Sequence, residues 1–185
     1  MLCFPVDLFN HILYNRQMTN ILNYFPFETP RDNQIIALEW LAKSDKKYLL
    51  LEAPVGSGKS ACGITYSSFL TNGKGNSYIL TPQKILQDQY TTSFDSTQIG
   101  SLYGKSNYSC QSRHTTCDIG SLVKPACTYC PFRSALHKAK IANNTVFNYS
   151  LAMSLFSYTN IFANDKRALM VLDECHTLEQ ILTEF

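Results

Sequence analysis

No apolar run in this 185-residue sequence approaches the roughly 20 residues that a membrane-spanning helix needs. The longest, residues 48–51 and 168–172, are only strand-sized. The amino terminus, MLCFPVDLFNHIL, has apolar character but no basic flank, and it carries Asp7 early. That argues against a secretory signal and makes the cytoplasm the expected compartment, with no membrane partner. No internal repeat or low-complexity tract is visible. Charge is scarce as well. Charged residues make up 16% and the formal net charge is +2, too little to imply a nucleic-acid partner by itself. What remains is 45% hydrophobic, a globular composition with length for one domain and a sizeable core.

Cysteine, by contrast, is present seven times. In a reducing compartment these are more naturally thiols and metal ligands than disulfides. Cys3, Cys62 and Cys175 are scattered, whereas Cys110, Cys117, Cys127 and Cys130 cluster as C-x6-C-x9-C-x2-C. A C-x2-C pair brings two thiolates to one centre with little strain, and four thiolates suit either zinc or a [4Fe–4S] cluster. Spacing does not separate the two, and reduced unligated thiols fit it as well. His114 lies inside the loop, where it suits a surface position or replacement of one cysteine in a zinc site.

Residues 6–23 carry a loose helical pattern at Val6, Phe9, Ile12, Leu13 and Ile21, and 24–30 is an aromatic, proline-broken loop. Helices are expected over 32–43, 59–70, 83–90 and 132–142, with a further one starting at Glu174. Strands are expected over 48–51, 77–80, 99–103, 145–147 and 168–172. Apolar strands alternating with helices predict an α/β fold, a parallel sheet with helices on both faces. The four cysteines interrupt it as an insert. The expected division is 1–23, an N-terminal helical segment; 24–103, the first part of the α/β lobe; 104–142, the cysteine insert and its following helix; and 143–185, the lobe continued.

Ligands of such sheets bind at the carboxyl ends of the strands, and two motifs fall there. Residues 49–60 read as strand, loop and helix start, with Ala53, Pro54, Val55, Gly56, Ser57, Gly58, Lys59 and Ser60 as the loop. Gly56 and Gly58 let the backbone curl its N–H groups toward one anion. The helix N-terminus adds its dipole, Lys59 reaches the β- and γ-phosphates, and Ser60 offers a hydroxyl to Mg²⁺. The generic loop begins with glycine, where this one has Ala53. The second motif is the apolar strand ending in Asp173-Glu174-Cys175-His176. Asp173 would hold Mg²⁺ opposite Ser60, Glu174 would orient or deprotonate an attacking water, and His176 would couple the site to a neighbouring element. Alone, Asp173 and Glu174 could simply be acidic residues at a helix start, favoured by its dipole. The loop upstream argues for the chemical reading.

The loop resembles motif I of superfamily 2 helicases, and Asp-Glu-x-His resembles their motif II, the DEAH-box type. Ser77-Tyr78-Ile79-Leu80-Thr81-Pro82, with Leu86 and Gln89, is similar to motif Ia, which implies that Thr81 and Pro82 contact DNA phosphates. Phe25-Pro26-Phe27 with Arg31 and Gln34 is similar to the adenine-recognising segment. The cysteines sit between motifs Ia and II, opened by Gly104-Lys105-Ser106-Asn107-Tyr108-Ser109-Cys110, and Asn148-Tyr149 with Leu151 precedes motif II. Together these resemble the XPD/DinG-like iron–sulfur DNA helicases over about residues 24–180. The resemblance implies a RecA-like lobe using ATP, Mg²⁺ and a [4Fe–4S] cluster on Cys110, Cys117, Cys127 and Cys130. It implies 5′ to 3′ translocation on single-stranded or forked DNA, with duplex unwinding.

Basic residues gather around the insert: Lys105, Arg113, Lys124, Arg133, Lys138 and Lys140. Arg133, His137 and Lys140 fall at i, i+4 and i+7 on one helical face, near Tyr108, Tyr129 and Phe132, which suits phosphate contact and base stacking. Such a face is also commonly no more than solvated. The motif that follows motif II and a second RecA-like lobe with its arginine finger are not seen, so a second lobe in cis or trans and weak hydrolysis by the chain alone are expected. The competing readings are a nucleotide-binding, non-motor DNA-binding protein with a zinc-stabilised four-cysteine module, and a P-loop ATPase acting on something other than DNA. Intact Lys59, Ser60, Asp173 and Glu174 argue against the first, and the insert with Thr81-Pro82 against the second.

Overall fold

The structure is a computed structural model that describes residues 2–3, 20–95, 98–122 and 129–185. Its strands are β1 (Leu2–Cys3), β2 (Tyr48–Leu49), β3 (Ser77–Thr81), β4 (Ile99–Ser101), β5 (Asn144–Asn148) and β6 (Leu169–Leu172). Its helices are α1 (Asp32–Lys43), α2 (Lys59–Leu70), α3 (Lys84–Ser93), α4 (Cys117–Gly120), α5 (Pro131–Ile141), α6 (Tyr149–Tyr158) and α7 (Leu178–Glu184). Most of the helix expected over 6–23 lies outside the described residues. Its last part, Ile21–Tyr24, is a 3-10 turn capped by Asn20, whose Oδ1 accepts from the Leu22 N–H at 3.0 Å. Among the described residues no helix is long and apolar enough to cross a membrane.

The chain forms two compact units, Met1–Leu80 with Lys166–Cys175, and Thr81–Asp165 with His176–Phe185. In the first, β3 and β6 pair in parallel, from Ser77 opposite Leu169 to Leu80 opposite Leu172. β1 pairs antiparallel with both β6 and β2, setting Leu2 opposite Val171 and Leu49. The expected parallel sheet gains one antiparallel element: two residues of opposite direction stand between β2 and β6 and supply both with backbone partners. Because β2 and β6 each oppose β1, they run the same way, and their carboxyl ends share an edge. That shared edge brings the two nucleotide motifs into one place.

α2 covers this unit from Lys59 onward, and every residue from Ala61 to Leu70 is buried. Its Thr65 hydroxyl is satisfied within the helix, donating to the Ala61 carbonyl at 2.7 Å. The helix passes close to β6 at Gly63, where a Cβ would sit in van der Waals contact with Val171 Cγ1 at 3.4 Å. α1 buries Leu38 and Leu41 completely.

In the second unit β4 and β5 pair in parallel, Ile99 opposite Asn144 and Ser101 opposite Val146. Gly100 is required beside α5, because a Cβ would come within 2.6 Å of Ala142 Cβ. α3 is tied to these strands by Gln87, whose buried Nε2 donates to Ser101 Oγ at 2.7 Å and the Leu102 carbonyl at 2.8 Å. The insert has little regular structure: a 3-10 turn at Lys105–Asn107, one antiparallel bridge between Ser109 and Thr116, and the single turn α4. Helix α6 follows β5 directly and was not anticipated. Asn148 ends the strand and caps the helix, accepting from the Leu151 N–H at 2.8 Å.

Candidate functional site

Four features of the sequence meet in the first unit. β2 leads out of the sheet into a loop that turns at Pro54, where the Ser57 N–H donates to the Pro54 carbonyl at 3.2 Å. Gly56 and Gly58 both take left-handed backbone, with φ of +77° and +83°. Such angles are strained for any residue with a Cβ, so the two glycines are a conformational requirement. Gly58 then caps α2, leaving the first N–H groups of that helix toward the loop.

Lys59 folds back over the loop that carries it. Its Nζ donates to the carbonyls of Ala53 at 2.8 Å and Pro54 at 3.3 Å and lies 3.9 Å from Glu174 Oε1. Its nearest partners are thus neutral oxygens, and a phosphate would be a stronger one. Ser57 points the same way: its Oγ is buried and has no hydrogen-bond partner among the described residues. A cavity of about 500 Å³ opens here, lined among others by Gln34, Trp40, Leu50, Ala53, Ser57 and Lys59. Curled backbone, an available cation, an unsatisfied hydroxyl and a helix N-terminus are what a polyanion with an attached apolar ring system would use. Val55 is 94% exposed at the loop tip, and Ser60 is half-buried in the first turn of α2.

At the end of β6 the Asp173 N–H donates to the Leu80 carbonyl at 2.8 Å, and Asp173 Oδ1 accepts from the Glu174 N–H at 3.1 Å. Glu174 itself has φ +49°. The helix expected to start there is therefore corrected. A left-handed residue breaks the chain, a 3-10 turn spans Cys175–Thr177, and α7 begins only at Leu178. The break aims the Glu174 carboxylate at Lys59. His176 is exposed in the 3-10 turn.

Arg31 and Gln34 meet the loop as well. Arg31 Nη1 donates to the Gly56 carbonyl at 2.8 Å, and a Cβ on Gly58 would lie 2.1 Å from Gln34 Nε2. These contacts, 25 residues apart in sequence for the first pair, left no periodic signal to read.

The second unit holds the cysteines. Cys110 and Cys117 are buried and Cys130 is half-buried, while Cys127 lies outside the described residues. The Cys117 thiol is pushed up first by burial and then by a hydrogen bond with Cys130 and the proximity of Cys130 and Cys110. The three therefore share a neighbourhood. Yet among the described residues no three His, Cys, Asp or Glu side chains form a group able to hold a metal ion. The four-thiolate centre expected from the spacing is not assembled by Cys110, Cys117 and Cys130 alone.

Of the expected DNA contacts, Thr81 is the last residue of β3. It is buried, and its hydroxyl donates to the Gln83 carbonyl at 3.2 Å, which turns it inward. Pro82 is half-buried, and Arg133, His137 and Lys140 are exposed on α5. Lys105 lies 5.6 Å over the Phe132 ring and Lys140 5.9 Å over Phe162. Tyr108 and Phe132 stack edge to face at 5.7 Å, and Tyr129 is 76% exposed.

The family described as type III restriction enzyme, res subunit, matches residues 27–182. The chain belongs to the type III restriction enzyme res subunit family. Its members are superfamily 2 helicase-like domains, so the chain has an ATP-dependent, nucleotide-binding function of that general kind. The match spans both the phosphate loop and the Asp173-Glu174 pair. No curated protein and no solved structure matches the chain.

Proposed function

We propose that this res-subunit domain is the nucleotide-binding lobe of an ATP-driven DNA helicase motor of the XPD/DinG-like iron–sulfur type, working 5′ to 3′ on single-stranded or forked DNA. The observation that carries the motor reading is Lys59 standing 3.9 Å from Glu174 at one sheet edge, over a loop with two left-handed glycines. In this reading the 53–60 backbone and Lys59 hold the phosphates, and Ser60 with Asp173 hold Mg²⁺. Gln34 faces the adenine side, and His176 links the site to a neighbouring element. Mg²⁺ bound there would supply charge neutralisation on the phosphates. Glu174 is the carboxylate that orients or deprotonates the attacking water, and the Lys59 Nζ lies beside the γ-phosphate.

Two variants test this. Lys59→Ala should weaken Mg·ATP binding by about 10- to 100-fold, the loss of a charge-assisted contact. Glu174→Gln should keep that binding and lower hydrolysis by about 100-fold or more, as removal of a general base does. Hydrolysis unchanged in Glu174→Gln would sink the assignment.

Cys110, Cys117 and Cys130, with Cys127, are proposed as thiolate ligands of a [4Fe–4S] cluster, supported by the shared neighbourhood of the three described thiols. The exposed Arg133, His137 and Lys140, with Lys105 and Pro82, are proposed to meet the DNA backbone. Iron and sulfide assayed on anaerobically purified chain should each approach about four per chain and vanish in Cys110→Ser. Stoichiometric zinc without iron would overturn the cluster and leave the motor reading intact.

A further inference from the structure

The two residues that resemble a base-recognising pair also make contacts of another kind. They hold the phosphate loop by its two left-handed glycines. Arg31, exposed at the start of α1, reaches across 25 residues to donate from Nη1 to the Gly56 carbonyl at 2.8 Å. Its own N–H donates to Gln34 Oε1 at 2.9 Å, and the Gln34 N–H donates back to the Arg31 carbonyl at 2.9 Å. With its oxygen engaged, Gln34 turns its amide nitrogen onto Gly58, where only a hydrogen fits.

The Gly56 bond has a geometric consequence. A peptide unit is planar and trans, so fixing the Gly56 carbonyl also fixes the Ser57 N–H on the opposite side. That N–H closes the turn onto the Pro54 carbonyl at 3.2 Å. The carbonyl is also kept turned to a cation, where an anion would be repelled by it. We propose that Arg31 is a positioning residue of the phosphate loop: it clips the Gly56 carbonyl and holds the loop in its anion-binding shape, acting on the phosphates through the loop rather than on the base. This rests on the reading of the loop as a nucleoside triphosphate site.

The test separates loop from base by using a ligand that has no base. Binding of Mg²⁺-tripolyphosphate and of Mg·ATP to the whole chain is measured by calorimetry, with Trp40, the sole tryptophan and part of the cavity wall, as a fluorescent check. Arg31→Ala should weaken both ligands by the same factor, about 5- to 10-fold, as expected for one charge-assisted hydrogen bond at an exposed site. Arg31→Lys, which keeps a donor and the charge, should recover part of the loss. The melting temperature should hardly move, because Arg31 is exposed. The ratio of variant to wild type should also survive about 0.5 M salt, which would screen a charge acting on the ligand through solvent.

Unchanged tripolyphosphate affinity in Arg31→Ala overturns the proposal, and a loss confined to ATP assigns Arg31 to the base. Collapse of the difference at high salt makes it a steering charge and also overturns it. Failure of the wild-type chain to bind either ligand removes the nucleotide reading itself, a result distinct from all of these.

Discussion

The phosphate loop and the cysteine insert announce themselves equally well in the sequence, but they fold into different kinds of order. In the loop the Lys59 Nζ, the Gly56 carbonyl and the Ser57 N–H each have a named partner within about six residues or at the start of α1, and two glycine angles set its path. In the insert, Cys110 and Cys117 are held by short backbone bonds, Cys110 N–H to the Thr115 carbonyl at 2.8 Å and Cys117 N–H to the Tyr108 carbonyl at 2.7 Å. Even so, the three described thiols form no metal-holding group. A phosphate loop is specified locally, by which residues tolerate positive φ. A thiolate centre requires that distant segments close on one point, and its ligands become thiolates only as the metal binds. The first can be complete in a ligand-free chain. The second would be completed only by the metal proposed for it.

The strongest test of local specification is Gly58→Ala. The new Cβ would lie 2.1 Å from Gln34 Nε2 on a backbone with φ +83°. Left-handed strain costs about 1–3 kcal/mol and displacing the Gln34 amide about as much again, so a loss of about 2–5 kcal/mol in denaturant unfolding is expected. Tripolyphosphate binding should disappear with it. Gly56→Ala is the control: its φ is +77°, but nothing lies within 4 Å of the added carbon. It should cost the strain alone, about 1–3 kcal/mol. Equal losses in the two variants would mean that strain alone, and not the Gln34 contact, shapes the loop.

The legibility of the sequence follows the same division. α1 over Asp32–Lys43 and α2 over Lys59–Leu70 stand as read, because apolar spacing and the loop mark both ends. The loop and the Asp173-Glu174 pair were legible because glycine, lysine and acidic residues carry their chemistry at fixed spacing. α6 escaped, since its only start signal is the side chain of Asn148 at the end of a strand. The helix placed at Glu174 failed because composition does not reveal a left-handed residue. The antiparallel β1 escaped too, as a two-residue strand has no period to detect. Thr81 is expected from its motif to contact DNA, and the motif does not reveal that strand β3 is buried on all five residues. The clips from Arg31 and Gln34 are tertiary, so no local pattern encodes them.

A middle-sized effect probes the insert. Gly120 has ordinary backbone, but a Cβ would meet Cys110 Sγ at 2.7 Å and Cys110 Cβ at 3.0 Å. The α4 turn thus packs directly on a cysteine proposed as a ligand. Gly120→Ala should push Cys110 aside at a cost of about 1–3 kcal/mol, the usual penalty of overpacking. If the insert is completed by metal, the same substitution should reduce iron or zinc retained per chain. Nucleotide binding in the first unit should not change. Full metal content with a normal melting curve would show that the α4 turn yields freely, and that its contact with Cys110 does not shape the site.

The smallest expected effect asks how the insert is anchored where it leaves β4. Tyr103 donates its hydroxyl to Asp88 Oδ1, and its ring is tilted against Tyr108 at 6.4 Å. Burial, and then the hydrogen bond to Asp88, push the phenol up to about 12 from its ordinary 10.0. The folded chain therefore holds this proton more tightly than the unfolded chain does. The resulting stability is complete below pH 10 and is lost as the pH climbs toward about 12. Because the ring is only half-buried, solvent screening reduces the effect to well under about 1 kcal/mol at pH 11. Urea unfolding of Tyr103→Phe should show a flatter decline between pH 10 and 12 than the wild type, with or without a metal chelator. Parallel declines would mean that Asp88 does not hold the phenol. A flattening that vanishes after chelation would mean that metal, rather than Tyr103, fixes the start of the insert.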